Sequence, residues 1–246
     1  MKNNILLLGG SGTLGKAIIK SKLFKNLNHP SSKILDILNQ NKIEEFLIKN
    51  KINTILHCAA LARVKECEKN KKKAYKINVL GTHNVVKSVY NCSKKHNIKI
   101  KIIFMSSDGV YSSTKGNYKE NDKLRPYNYY GWTKLQGEKA VKKLKDYIII
   151  RTRFFNKSKI KFDYAAKNIF TSAIEVTILV KYINKIIKKN FNGIINIGGN
   201  KISDYKKYKK YKKNIKPCDK SKIFEKLNFK IATDASLNLK KLKRLM

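Results

Sequence analysis

The sequence predicts an open, doubly wound parallel α/β sheet, and three observations carry that prediction. Short, wholly apolar runs alternate with longer stretches of helical periodicity. A loop of regularly spaced glycines, Gly9-Gly10-Ser11-Gly12-Thr13-Leu14-Gly15, follows the first apolar run directly. A serine, Ser107, closes a later apolar run, and Tyr130 and Lys134 follow it at helical spacing.

The elements follow in order. Ile5-Leu6-Leu7-Leu8 is a continuous apolar run ending in glycine, as in a strand buried on both faces. Thr13 to Phe24 reads as a helix with Leu14, Ala17, Ile18 and Leu23 on its inner face. A loop through His29-Pro30 leads to Ile34-Leu35-Asp36-Ile37, where one strand or two fit before an amphipathic helix from Lys42 to Lys51. Thr54-Ile55-Leu56-His57-Cys58 is the next strand, and helical sequence returns from Lys71 to Tyr90. The strand Ile100 to Met105, a helix from Tyr127 to Lys145 and the strand Tyr147 to Arg151 continue the alternation. Beyond Arg153 it weakens to a helix over Ala173 to Lys189 and a strand over Gly193 to Ile197. The run from Tyr205 to Lys213, which interleaves Tyr with Lys pairs, is expected to be one solvated helix with its tyrosines packed inward.

A chain of 246 residues, 42% apolar and 10% aromatic, can bury a large core. Its 56 Lys and Arg against 16 Asp and Glu give a net charge of +40, which suits polyanionic partners in general. The lysines run through every segment and form no single stripe, so no nucleic-acid recognition motif is expected. Cys58, Cys67, Cys92 and Cys218 show no metal-binding spacing and suit a reducing compartment. Residues 1–9 read as a strand running into glycine and not as a signal peptide. No apolar run approaches the ~20 residues of a membrane span. A soluble, cytoplasmic protein without a bound metal is expected.

Gly9-x-x-Gly12-x-x-Gly15, placed where a strand turns into a helix, lets the backbone approach a pyrophosphate, and the helix N-terminus supplies N–H groups and positive potential. Gly9, Gly12, Thr13, Leu14 and Gly15 are therefore expected to hold a dinucleotide. No acid stands between Lys25 and Lys33, where Ser31, Ser32 and Lys33 favour a 2′-phosphate, hence NADP over NAD. Asp36, the first acid after the loop, and its neighbour Ile37 are candidates for adenosine contact.

Arginine is rare beside this much lysine, and its planar fork is not replaceable where a diphosphate or carboxylate is gripped. Arg63 and Arg153 are candidate ligand contacts, while Arg151 and Arg153 fit structural ion pairs equally well. Tyr130 and Lys134 share a helix face, so an ammonium there can lower the phenol pKa from ~10 and make Tyr130 a general acid for a carbonyl oxygen. Ser107, at the sheet edge, can hydrogen-bond the same oxygen.

With the glycine loop, this set resembles the extended short-chain dehydrogenase/reductase family, and within it the dTDP-4-dehydrorhamnose reductases and related sugar-nucleotide reductases. His57-Cys58-Ala59-Ala60 resembles that family's Asn-Ala-Ala strand end, and Ile77-Asn78-Val79-Leu80-Gly81-Thr82 its Asn-Val-x-Gly-Thr helix. Ala59 to Glu68 is similar to Ala-Ala-x-Thr-x-Val-Asp-x-x-Glu, and Ser106-Ser107-Asp108 stands where the family carries Ser-Thr-Asp. Gly116 to Glu120, Pro126, Tyr130-Gly131 and Lys134 to Glu138 fit the same block, and Asp234 to Asn238 resembles Asp-x-Ser-Leu-Asp.

The resemblance implies a nicotinamide-binding Rossmann core over 1–153, with 171–198 completing the sheet, and a small substrate-binding lid from 154–170 and 199–246. It implies Ser107, Tyr130 and Lys134 as catalytic residues, and Ala59, Ala60, Leu61 and Asn78, with Tyr130 and Lys134, at the cofactor. Arg63, Val64, Asp108 and Arg153 would contact a nucleotide-sugar substrate. The implied activity is NAD(P)H-dependent reduction of a nucleotide-linked 4-keto-6-deoxysugar in surface-polysaccharide synthesis. An epimerase on the same framework, or a non-catalytic NADP-binding regulatory subunit, is the alternative. Gly109 stands where sugar dehydratases carry a second acid, which argues against dehydration. His57, Arg63 to Lys65 and the short region after Phe155 depart from the family pattern. A homodimer is compatible, and the metal-assisted pairing of some relatives is not carried over.

Overall fold

Apolar runs of four to six residues with no polar face must be covered on both sides, so they assemble as the middle layer of a sandwich. The computed structural model describes residues 3–189, 191–225, 227, 229 and 231–246. Met1 and Lys2 ahead of the first strand, Asn190, and Lys226, Asn228 and Lys230 of the C-terminal segment lie outside the described residues. The first half runs β1 (Ile5–Leu8), α1 (Thr13–Ser21), β2 (Leu27–Asn28), α2 (Gln40–Lys49), β3 (Thr54–His57), α3 (Val64–Lys69), α4 (Lys71–Ala74), a π-helical turn (Tyr75–Leu80), α5 (Gly81–His96), β4 (Lys101–Met105), α6 (Tyr129–Val141) and β5 (Tyr147–Thr152). After it come β6 (Phe154–Phe155), β7 (Tyr164–Ala166), β8 (Phe170–Thr171), β9 (Ile174–Glu175), α7 (Val176–Lys188) and β10 (Gly193–Ile197). The chain ends with β11 (Ile202–Ser203), α8 (Asp204–Lys209), β12 (Lys216–Cys218), α9 (Lys220–Phe224), β13 (Asp234–Ala235) and α10 (Lys240–Leu245).

Six parallel strands pair in the order β10-β5-β4-β3-β1-β2, a Rossmann-type sheet. Side chains alternate between its faces with period two. Ile5, Leu7, Ile103, Ile148 and Ile150 pack with α1, α7 and α10, while Leu6, Phe104 and Ile149 pack with α2, α5 and α6. α7 shows how sequence sets this burial. Val176, Leu179, Val180, Ile183 and Ile186 recur at helical spacing and are all buried, each worth roughly 1.5–3 kcal/mol. The chain leaves β1 toward β2 on one side and returns to β3 on the other, which opens a crevice at the carboxyl ends of β1 and β3.

A single two-residue strand, β2, lies between Phe24 and Lys42, and Ile34 to Ile37 form no strand. The helix expected from Ala173 starts only at Val176, because Ile174 and Glu175 pair with β6. The helix begun at Lys71 passes through the π-helical turn and runs on to His96. The Tyr–Lys run is corrected more sharply. Only Asp204–Lys209 is helical, and the buried residue on it is Lys207; Tyr208 is half-buried against Phe155 and Phe162, and Tyr211 is exposed. Small two- and three-stranded sheets, β12-β7 and β11-β8-β13, join the segments on either side of α7 and β10. Among the described residues no helix is long and apolar enough to cross a membrane.

Candidate active site

The glycine loop closes on β3. Gly9 has φ of +88°, and a Cβ there would lie 2.6 Å from the Ala59 nitrogen, so only glycine fits between the two strand ends. Gly15 lies as tightly against the loop, where a Cβ would come 2.3 Å from the Gly9 carbonyl oxygen. The helix that follows carries no acid in its first turn and no side-chain cap, which leaves its positive end to a ligand. A cleft of about 630 Å³ opens there, lined among others by Gly9, Gly12, Ser31, Ser32, Asp36, Ile37, Ala59, Ala60 and Leu61.

The side chains of three other residues expected at a cofactor point elsewhere. Leu14 points into the core, and Thr13 lines a neighbouring groove between α1 and α7. Asn78 is spent inside the protein: its Oδ1 accepts from Leu61 N at 2.7 Å, and its Nδ2 donates to Leu61 O and Thr133 Oγ1, each at 3.0 Å. It shapes the Leu61 wall instead of facing the cleft.

A second cavity, of about 310 Å³, is lined by Val64, Ser107, Asp108, Tyr127, Asn128, Tyr130, Thr152 and Arg153. Ser107 lies two residues past β4 and caps the turn 108–110. Its Oγ accepts from Gly109 N at 3.0 Å and donates to Asp108 Oδ1 at 3.2 Å. Tyr130 enters on the first turn of α6, which Asn128 caps by accepting from Gly131 N at 2.8 Å. Gly131 allows that approach, since a Cβ would sit 2.1 Å from the Gly109 carbonyl oxygen. Arg153 Nε pairs with Asp108 Oδ2 at 2.7 Å, and Arg153 donates to the Tyr127 hydroxyl at 3.2 Å.

The arginines thus separate. Arg153 faces the cavity, whereas Arg151 forms a buried bidentate pair with Glu138, at 2.9 and 2.7 Å, and donates to the Tyr111 hydroxyl at 2.8 Å. Arg63 is not brought in. Its side chain is 83% exposed and pairs with Glu66 at 3.0 Å.

The electrostatics also correct one expectation. Burial raises the Tyr130 phenol above its ordinary pKa, Asp108 raises it further, and Ser107 and Arg153 oppose the shift. Lys134 does not act as the depressing charge. It is buried with its Nζ 4.1 Å over the Phe104 ring, and burial lowers its own pKa to about 8 against the pull of Cys58 and Glu138. Asp108 is raised by burial despite its partner Arg153. His57, buried at the end of β3, has Nε2 at 3.1 Å from Thr82 Oγ1, whose own proton goes to the Asn78 carbonyl at 2.7 Å. The hydroxyl must therefore accept, and His57 is the neutral Nε2–H tautomer with its Nδ1 unpartnered. Burial first, and Lys134 second, lower its pKa to about 3.

Tyr127, Asn128, Thr152 and Asp204 line the cavity without a sequence expectation. Asp204 holds the buried Lys207 at 2.6 Å. Its i,i+3 spacing was available as a signal but is hidden in the lysine run, and Asn128 is a helix-capping residue type at a predicted helix start.

Comparison with known proteins places this geometry. The RmlD substrate binding domain family model matches residues 1–172. A dTDP-4-dehydrorhamnose reductase from Clostridium acetobutylicum superposes with a TM-score of 0.86 at 26% identity, covering 98% of this chain and 91% of that one. The fold is shared with the dTDP-4-dehydrorhamnose reductase of Bacillus anthracis in complex with NADP, at a TM-score of 0.83 and 23% identity, covering 99% and 92%. The methionine adenosyltransferase 2 subunit beta of Bos taurus is 31% identical over 146 residues, 56% of this chain and 42% of that protein. The chain spans about two fifths of the length of such curated relatives. It belongs to the RmlD substrate binding domain family, within the extended short-chain dehydrogenases/reductases.

Proposed function

We propose that the protein is an NAD(P)H-dependent reductase of a nucleotide-linked 4-keto-6-deoxysugar. The observation that carries this is the meeting of Ser107 and Tyr130 in one cavity at the carboxyl end of the sheet, in the fold that sets the glycine-loop cleft at the same sheet edge. The cleft fits a dinucleotide: its turn admits no Cβ at Gly9 or Gly15, and the start of α1 offers an uncapped positive end. Ser31 and Ser32 in the wall, with Asp36 further on, support NADP as the preferred form. Bound there, the dinucleotide supplies the hydride.

The residues of the chain do the rest. Tyr130 keeps its proton at neutral pH and donates it from Oη to the carbonyl oxygen as charge develops there, while the Ser107 hydroxyl bonds the same oxygen. Lys134, with a pKa near 8, supplies a cation for the ribose hydroxyls. Asp108, Arg153 and Val64 position the sugar, and segments 154–170 and 199–246 serve as the lid over it. Replacing Tyr130 with Phe should lower kcat by about 10²–10⁴-fold and leave NADPH affinity unchanged. Undiminished turnover would remove Tyr130 as the acid.

A second reading, a non-catalytic NADP-binding regulatory subunit, is favoured by the likeness to methionine adenosyltransferase 2 subunit beta and by a tyrosine whose pKa is raised, not lowered. It predicts NADP(H) binding with no turnover on any 4-keto nucleotide sugar.

A further inference from the structure

One set of stacked rings lines neither cavity. Trp132, on the outer side of α6, stacks with Tyr129 and with Tyr75, with ring centroids 5.2 and 6.2 Å away and both ring pairs 23° from parallel. The ladder is not core: Tyr75 is 39% and Trp132 36% exposed. Lys71 lies 5.6 Å over the Tyr129 ring, and Lys72 and Lys76 flank the ladder, exposed. From Arg63 to Lys76 the chain carries seven basic residues against Glu66 and Glu68. Both acids are engaged, Glu66 by Arg63 and Glu68 by the Tyr129 N–H at 2.7 Å. The face therefore presents stacked rings inside a field of unneutralised lysines.

Exposed aromatic rings such as Tyr75 offer stacking to any base, and flanking ammonium groups neutralise phosphates as a strand passes. An acidic protein partner fits less well, because lysine is depleted at protein–protein contacts. We propose that this face, built from α3, α4, the π-helical turn and the start of α6, binds single-stranded nucleic acid without sequence preference. None of these rings lines the cofactor cleft or the Tyr130 cavity, although α3 and α6 also contribute Val64 and Tyr130 to that cavity.

Trp132 is the only tryptophan in the chain, so its fluorescence reads this face directly. The full-length protein is titrated with a single-stranded oligothymidylate of about 12 nucleotides, within the range of site sizes of such surfaces. Binding should quench Trp132 and weaken with added salt. Tyr75→Ala should raise Kd about 5- to 100-fold. Combined Lys71→Ala, Lys72→Ala and Lys76→Ala should flatten the logarithmic salt dependence by about 2. Thermal melting checks that each variant is folded, and Lys206→Ala with Lys209→Ala, remote in the chain, should leave binding unchanged. The proposal is overturned if the oligonucleotide leaves Trp132 unquenched. It is equally overturned if a blunt duplex or polyglutamate binds as tightly with Tyr75→Ala without effect, which would mean charge alone or a protein-type partner.

Discussion

Among single residues, Glu138 and Arg151 are a buried charged pair on which stability depends. They form a buried bidentate pair, Ser106 donates to Glu138 Oε1 at 2.6 Å, and Arg151 also donates to the Glu120 carbonyl at 2.9 Å. Glu138→Ala leaves a buried guanidinium without its counter-charge and should cost roughly 3–5 kcal/mol in urea unfolding. His57 makes a prediction in pH. Its pKa falls from 6.5 to about 3 on folding, so the unfolded state binds more protons between those values. The stability this neutral histidine contributes is complete above pH 6.5 and is lost as pH falls toward 3. Between pH 7 and pH 4.5 the wild type should lose about 2–3 kcal/mol more than His57→Asn does, and equal losses in the two proteins would refute the assignment. Ser107, Asp108 and Tyr130 were legible in the sequence because strand ends and helix starts face the crevice of such a sheet. Arg63 was misplaced because nothing in the sequence shows that its side chain turns back to Glu66, and Arg151 and Arg153 could not be separated without knowing where β5 ends.

At the scale of elements, the contact between α6 and the turn 108–110 sets the distance between Tyr130 and Ser107. Gly131→Ala should force those elements apart, with destabilisation of about 1–3 kcal/mol and a loss of turnover near 10²-fold from misplacing the tyrosine. Urea unfolding and steady-state kinetics on the same variant read the two effects separately. The long apolar strands and α7 were legible because their periodicity is strong. The two-residue strands β2, β6, β8, β9, β11 and β13 were not, because so short a pairing leaves no pattern and depends on partners distant in sequence. The Tyr–Lys run misled for a related reason. Lysine is so common that periodicity did not reveal Lys207 turning inward to Asp204, beside Tyr208, which packs on Phe155 and Phe162.

At the scale of the whole molecule, the doubly wound parallel sheet was legible as a class, and a lid was expected only through family resemblance. A ligand that binds only the folded state stabilises all of it. NADPH at about 100 times its Kd should therefore add ~2.7 kcal/mol and raise Tm by about 5–10 °C, more than NADH at the same concentration. No shift with either dinucleotide would remove the cofactor assignment together with the site built on it. Hydride delivery to a sugar carbon is read from the label it leaves. The protein is incubated with NADPH deuterated at the transferable position and a dTDP-linked 4-keto-6-deoxysugar, and the product is examined by mass spectrometry and NMR. Stoichiometric NADPH consumption and deuterium on C4 of the sugar are expected, with both slowed by about 10²–10⁴-fold in Tyr130→Phe. Binding of NADPH without transfer to any 4-keto sugar, or an altered sugar with no net NADPH consumed, would contradict the reductase assignment.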